Sequence, residues 1–191
     1  MTNLETLLQR SAALHNHLCP RQVLGVRMGV HAGEWLGLDL PQSDKRLFTF
    51  VETDGCFADG VMAATGCALG RRTMYLMDYG KSAVTFIDTE TGRAVRIRSH
   101  PDARDHAVAC LPDAESNWHA MLQAYQTLPA DNLLIAQAVD VTLDMQALIS
   151  LPGLRAICAT CGEEIMNARE VTIDGQAYCR GCADGAYYAP L

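Results

Sequence analysis

Cys158-Ala159-Thr160-Cys161, followed after 17 intervening residues by Cys179-Arg180-Gly181-Cys182, divides this chain in two. Each C-x-x-C pair aims two sulfurs from a tight turn at one point. Two such turns complete the tetrahedron of thiolates that holds a structural zinc ion. Between the pairs, Ala168 to Ile173 and Gln176 to Tyr178 flank Asp174-Gly175, a hairpin signal. Cys179 and Cys182 then fall where a closing helix starts. A knuckle, a hairpin and a helix carrying the second ligand pair describe a treble-clef-like zinc finger. A unit of about 40 residues cannot build an adequate core alone, so the metal supplies folding free energy. Residues 153–191 are read as this finger and residues 1–152 as a separate core, with Pro152-Gly153 as the boundary.

Composition bounds what the two parts do. The chain has 191 residues, 49% apolar and 19% charged, enough for one ordinary core and a small appendage. The net charge of −7 argues against nucleic-acid binding through phosphate contacts. The finger carries three arginines (155, 169 and 180) against five acids (163, 164, 170, 174 and 184), the wrong sign for that task. Its expected role is folding support or protein contact. Leu133 to Val139, the most apolar stretch, is too short to span a bilayer. Met1 to Leu18 has no continuous apolar region of the secretory kind, so a soluble cytoplasmic protein is expected. The eight cysteines are accordingly read as reduced, metal-bound or reactive.

Periodicity sketches an α+β core with a mixed or largely antiparallel sheet. Leu4, Leu7 and Leu8 begin a short amphipathic helix. Pro20 suits the first position of a helix over Arg21 to Leu36, with Cys19 as N-cap. Gly25, Gly29 and Gly33 recur at i, i+4, i+8 and bare one face of it. Glycine costs helix propensity, so a neighbouring element is expected there. Strands are expected over Leu47 to Glu52, Met74 to Met77, Ala83 to Asp88, Ala94 to Arg98 and Val139 to Leu143. Further helices are expected over Phe57 to Thr65, Asp102 to Cys110 and Ser116 to Leu128.

The chemistry of the core centres on His15, His17 and Cys19. At i, i+2, i+4 an extended segment would point all three one way. Imidazole and thiolate both suit zinc and its transition-metal neighbours. A helix start favours an anion, so the Cys19 thiol pKa should fall. Cys56 repeats the geometry after Asp54-Gly55. A lone Cys is otherwise a small buried hydrophobe, the competing reading for Cys56 and Cys67 and the one taken for Cys110. His31 and His119 are read as structural or solvent-facing, and His100 and His106 as loop and surface residues. In Asp78-Tyr79-Gly80-Lys81, Lys81 could orient an anionic substrate and Asp78 could hold a ligand histidine, or the segment is a plain polar turn.

These motifs carry a resemblance. His15-Asn16-His17-Leu18-Cys19-Pro20, Val51-Glu52-Thr53-Asp54-Gly55-Cys56, Thr65-Gly66-Cys67-Ala68-Leu69-Gly70 and Asp78-Tyr79-Gly80-Lys81-Ser82-Ala83-Val84-Thr85-Phe86 resemble, in order and spacing, the E-subunit family of formylmethanofuran dehydrogenase. The likeness runs over roughly Leu4 to Leu143. It implies an α+β domain, in some members followed by a C-terminal treble-clef zinc finger. It also implies a core metal held by His17, Cys19 and Cys56, with Cys67 close by, and a link to the molybdenum or tungsten enzyme of one-carbon metabolism. Cys19, Cys56 and Lys81 become the candidate catalytic residues. The core metal is expected to be zinc or nickel, beside the structural zinc of Cys158, Cys161, Cys179 and Cys182. Arg21 departs from the glycine common after Cys-Pro and would crowd or recharge the site. Three readings follow: a metal-binding accessory subunit or small oxidoreductase; an interaction scaffold, homodimeric through the finger and the glycine-rich helix or docked in a larger enzyme complex; or a Cys19/Cys56 thiol redox pair.

Overall fold

The computed structural model describes residues 3–149, 151 and 153–189. The chain divides into two units, Met1–Thr142 and Leu143–Leu191. Pro152, at the expected boundary, lies outside the described residues.

In the first unit, five strands form one mixed sheet in the order β2-β1-β3-β4-β5. They are β1 (Leu47–Val51), β2 (Met74–Leu76), β3 (Ala83–Asp88), β4 (Ala94–Ser99) and β5 (Leu134–Ala138). Strand β2 runs parallel to β1, and every other pairing is antiparallel. The Asp78-to-Lys81 link therefore joins strands on opposite sides of β1, not a hairpin. Val84, Phe86, Val95 and Ile97 bury one face of the sheet in the main core. On β1, Phe48 and Phe50 stack with Tyr75.

One expected strand is corrected. The alternation over Val139 to Leu143 forms no strand, and the edge strand is Leu134–Ala138. Val139 donates the last bond, to the Ala94 carbonyl, where β4 begins. Beyond it β4 offers no further backbone, so the alternating pattern has nothing to pair with among the described residues.

Helices α1 (Leu4–His15), α2 (Pro20–Leu36) and α3 (Cys56–Thr65) contribute Leu7, Leu8, Val23, Val26, Met28, Phe57 and Val61 to the core. The glycine face of α2 is filled by α3. A Cβ on Gly25 would lie 2.3 Å from the Phe57 carbonyl oxygen, and one on Gly60 would lie 2.3 Å from that of Gln22. A Cβ on Gly29 would lie 2.5 Å from the Ala64 Cβ. Contacts that advance together along both helices make them run parallel, with their N-termini side by side. This glycine face is therefore covered within the chain. Helices α4 (Ala103–Cys110), α5 (Asn117–Thr127) and α6 (Ala130–Leu133) complete the unit. Arg27 on α2 donates to the carbonyls of Tyr125 and Leu128, both at 2.7 Å, and so ties α5 to α2.

Two ion pairs pin the sheet. Arg46 donates twice to the fully buried Asp88 carboxylate at 2.7 Å. These bonds hold Asp88 far below the ordinary carboxylate pKa. Arg96 donates to both oxygens of Glu52 at 2.6 and 2.7 Å. The Glu52 carbonyl accepts from Tyr79 and Lys81 and so anchors the Asp78-to-Lys81 loop.

The second unit holds α7 (Met145–Leu148), a hairpin of β6 (Arg155–Ile157) and β7 (Glu164–Met166), a hairpin of β8 (Val171–Ile173) and β9 (Gln176–Tyr178), and α8 (Arg180–Asp184). Asp174 and Gly175 take φ 50° and 79°, the left-handed pair of a tight hairpin turn. No helix among the described residues is long and apolar enough to cross a membrane.

Gly25→Ala and Gly60→Ala should each cost about 2 kcal/mol or more, because the methyl meets backbone that cannot step aside. Chemical denaturation checks this, and an unchanged midpoint would contradict the packing. Asp88→Asn should cost about 2–3 kcal/mol at neutral pH. The folded pKa of Asp88 is depressed, so its contribution is present above the unfolded value of about 4 and fades as pH falls toward the folded one. The gap between wild type and Asp88→Asn should therefore narrow in denaturation curves below about pH 4.

Candidate metal centres

The parallel packing of α2 and α3 sets two cysteines together. Cys19 is the N-cap of α2 and Cys56 the first residue of α3. Gln22 braces the first of these. Its side-chain oxygen accepts from the Cys19 backbone N–H at 2.8 Å, and its nitrogen donates to the Ser11 carbonyl and hydroxyl. This network is fully buried and locks the end of α1 to the start of α2.

Cys19 and Cys56 open with His17 into a cavity of about 740 Å³. Leu24, Trp118, Met121 and Tyr125 supply apolar and aromatic walls, and Arg21 and Arg104 supply cations. The Nδ1 of His17 lies 3.0 Å from the His15 carbonyl. A carbonyl can only accept, so Nδ1 carries the proton and neutral His17 keeps Nε2 as its lone pair. Two thiols and an imidazole are ligand types suited to zinc or its neighbours, but their donor atoms do not all lie within 4.8 Å of one another as the finger's do, so His17 would have to turn to complete the set.

The local chain differs from an extended His15-to-Cys19 segment. His15 ends α1 and Asn16 turns the backbone at φ 59°. His15 pairs with Asp59 on α3 at 3.2 Å and meets the His17 ring edge-on at 4.9 Å. The carboxylate beside this histidine is thus Asp59, which no motif in the sequence marks out. The helix-start reasoning expects a lowered thiol pKa. At Cys56 the opposite holds: burial first, then the hydrogen bond to Cys19, raise it, against a smaller pull from Arg21.

Two cysteines lie elsewhere. Cys67 is buried in the main core, its thiol donates to the Leu47 carbonyl at 3.3 Å, and it follows the C-terminal end of α3 whereas Cys56 begins that helix. Burial also pushes its pKa up. Cys110 is exposed, not part of the core as expected, because it ends α4 on the outer side. Lys81 stands over the Tyr79 ring at 5.7 Å, and its neighbour Ser82 lines the cavity. Asp78 takes φ 39° within the same turn. The cavity walls from α4 and α5 carry no motif, since Arg104, Trp118, Met121 and Tyr125 meet through tertiary packing.

In the second unit, Cys158, Cys161, Cys179 and Cys182 place their sulfurs within 4.8 Å of one another. The Cys161 and Cys179 sulfurs are 3.9 Å apart, against an edge of about 3.8 Å for a tetrahedron with zinc–sulfur bonds near 2.3 Å. Cys158 donates its N–H to the Glu163 carbonyl and accepts one from Gly162, the turn that carries the first pair. Ala159 bonds to Ala177, joining that turn to the second hairpin. Cys179 caps α8 and Cys182 lies within it. Backbone N–H groups of Cys161 and Cys179 lower the Cys158 pKa to about 6, and neighbouring thiols push Cys182 up to about 12. One thiolate already favoured among three close thiols is a cluster prepared for a cation.

Comparison with known proteins agrees with both units. A family profile described as "FmdE, Molybdenum formylmethanofuran dehydrogenase operon" matches residues 14–135. A second, "Prokaryotic dksA/traR C4-type zinc finger", matches residues 153–188. A protein of Archaeoglobus fulgidus described as a probable S-adenosyl-L-methionine-binding protein is 37% identical over 99 residues, 50% of this chain. The matched stretch spans 27% of that relative's length. The crystal structure of an FmdE-like protein from Syntrophus aciditrophicus, named for tungsten formylmethanofuran dehydrogenase, aligns with TM-score 0.65 and 20% identity, over 98% of this chain and 96% of that one. That likeness shows a shared fold. By the first match, which takes in more than half of its residues, the chain belongs to the FmdE family and carries a C4-type zinc finger as its second unit.

Proposed function

We propose that the first unit binds a transition metal, zinc or nickel, through Cys19, Cys56 and His17, and offers it to a small molecule in the adjoining cavity. The single observation that supports this is that two helix-terminal thiols at hydrogen-bond range of each other share with His17 the lining of a cavity of about 740 Å³. Three protein ligands leave a coordination position for substrate, where such a metal acts as a Lewis acid. Arg21 and Arg104 would draw an anionic group inward, and Lys81 on the anchored loop would guide it toward Ser82. Trp118, Met121 and Tyr125 would exclude water and seat a flat or apolar portion. The ligand named for the A. fulgidus relative, S-adenosyl-L-methionine, is one molecule to try as occupant. The family assignment makes an accessory or oxidoreductase-related role in one-carbon metabolism the natural setting, beside a larger enzyme complex.

A second reading, an interaction module with the treble-clef-like finger as docking or dimerisation element, is favoured by the finger's surface. Ile157, Met166, Ile173 and Tyr188 are exposed there. Light scattering of the purified chain at micromolar concentration tests it. A dimer disrupted by Ile157→Asp together with Met166→Asp supports docking through this face, and a monomer counts against it.

Metal quantification on the full chain should give one zinc that is lost in Cys161→Ala and a second metal that is lost in Cys19→Ala. A single zinc that survives Cys19→Ala would end the core proposal. Chelation should unfold the finger, exposing Leu143–Leu191 to protease while Met1–Thr142 stays resistant. Equal protection of both units after chelation would contradict a zinc-dependent finger.

A further inference from the structure

We propose that His100, Asp102 and His106 bind a divalent first-row transition-metal ion, at a site separate from Cys19 and Cys56. One ligand atom from each residue lies within 4.8 Å of the others. The Nδ1 of His100 is 3.9 Å from Asp102 Oδ2, and the two imidazole rings are 5.2 Å apart at their centroids. Two nitrogens and one carboxylate oxygen, with no sulfur, form a donor set for zinc, nickel, cobalt or iron(II), with positions left for water or a ligand.

The hydrogen bond of His106 prepares its lone pair. His106 Nδ1 lies 2.7 Å from the Asn132 carbonyl, which can only accept. The proton is therefore on Nδ1, and the Nε2 lone pair of neutral His106 is open. A ligand histidine is typically oriented by such a bond from its other nitrogen. On His100 the Asp102 backbone N–H donates to Nδ1 at 3.2 Å, so that lone pair is occupied and an ion bound there would displace this bond.

The frame is rigid as well. The His100 backbone N–H bonds to Leu133 and its carbonyl accepts from Ala103, which clamps the residue between β4 and α4. Asp102 is the N-cap residue of α4 and His106 stands four residues later, on the same helix face. His100, Pro101, Ala103 and Arg104 also line the Cys19–Cys56 cavity, so this ion would sit in its wall.

The test titrates Co²⁺ into the full chain after dialysis against a mild chelator has left one zinc per chain, that of the finger. Cobalt binds less tightly than zinc and leaves the finger's thiolates filled. Absorption distinguishes the sites: cobalt on Cys19 and Cys56 shows a sulfur-to-metal charge-transfer band, and cobalt on His100, Asp102 and His106 does not. Wild type should take up one cobalt without that band. His100→Ala and His106→Ala should lose it, and Asp102→Asn should bind it at least about tenfold more weakly. Cys19→Ala should keep it while losing any charge-transfer band. Because Asp102 is an exposed side chain, its variant tests the site even if a histidine variant fails to fold. Unchanged cobalt uptake and affinity in Asp102→Asn and in folded His106→Ala would overturn the proposal. So would a wild type whose every cobalt carries the sulfur band.

Discussion

The backbone-to-backbone contact of α2 and α3 is the constraint on which the rest of the first unit depends. Gly25 lies against the Phe57 carbonyl and Gly60 against that of Gln22, so neither helix can carry a side chain at the crossing. Close approach in parallel register brings the two N-termini together, and each terminus begins with a cysteine. The two thiols of the proposed metal site are thus placed by residues that have no side chains. Gln22 adds the second fixed point, since its buried amide joins Ser11 on α1 to the Cys19 backbone and holds the turn that carries His17.

Two effects compete at the thiols. Helix N-termini and Arg21 favour the thiolate, whereas burial and a second thiol at hydrogen-bond range oppose it. At Cys56 the second pair wins, and its pKa rises. A cation bound between the two sulfurs would reverse that balance, because it neutralises the charges that otherwise repel each other. The finger resolves the same conflict differently: two backbone N–H groups single out Cys158 as the favoured thiolate.

What can be read from the residues follows the range of the interactions concerned. The C-x-x-C pairs, Asp174-Gly175, and the start of α2 at Pro20 are local signals and are legible in the sequence. The glycine spacing on α2 calls for a close neighbour, and α3 is that neighbour. The strand over Leu134–Ala138 escapes a reading by pattern because Leu134, Ile135 and Ala136 do not alternate, while Val139 to Leu143 do; the length of β4 decides the matter. The direction of the Cys67 thiol, toward the Leu47 carbonyl, is not legible because a motif position does not reveal which way a side chain faces. His100, Asp102 and His106 carry a spacing signal, H-x-D-x₃-H, that is hard to tell from ordinary solvated residues until the fold brings their ligand atoms together. The cavity walls leave no such trace, since Leu24, Arg104, Trp118 and Tyr125 come together only in the fold.

The central claim is that glycine-mediated helix packing creates a metal site at Cys19 and Cys56. Anomalous diffraction at the metal edge from crystals of the metal-replete chain tests it most directly. The claim predicts a peak within bonding distance of both the Cys19 and Cys56 sulfurs, in addition to the one among Cys158, Cys161, Cys179 and Cys182. A finger peak with no density between Cys19 and Cys56 would contradict it.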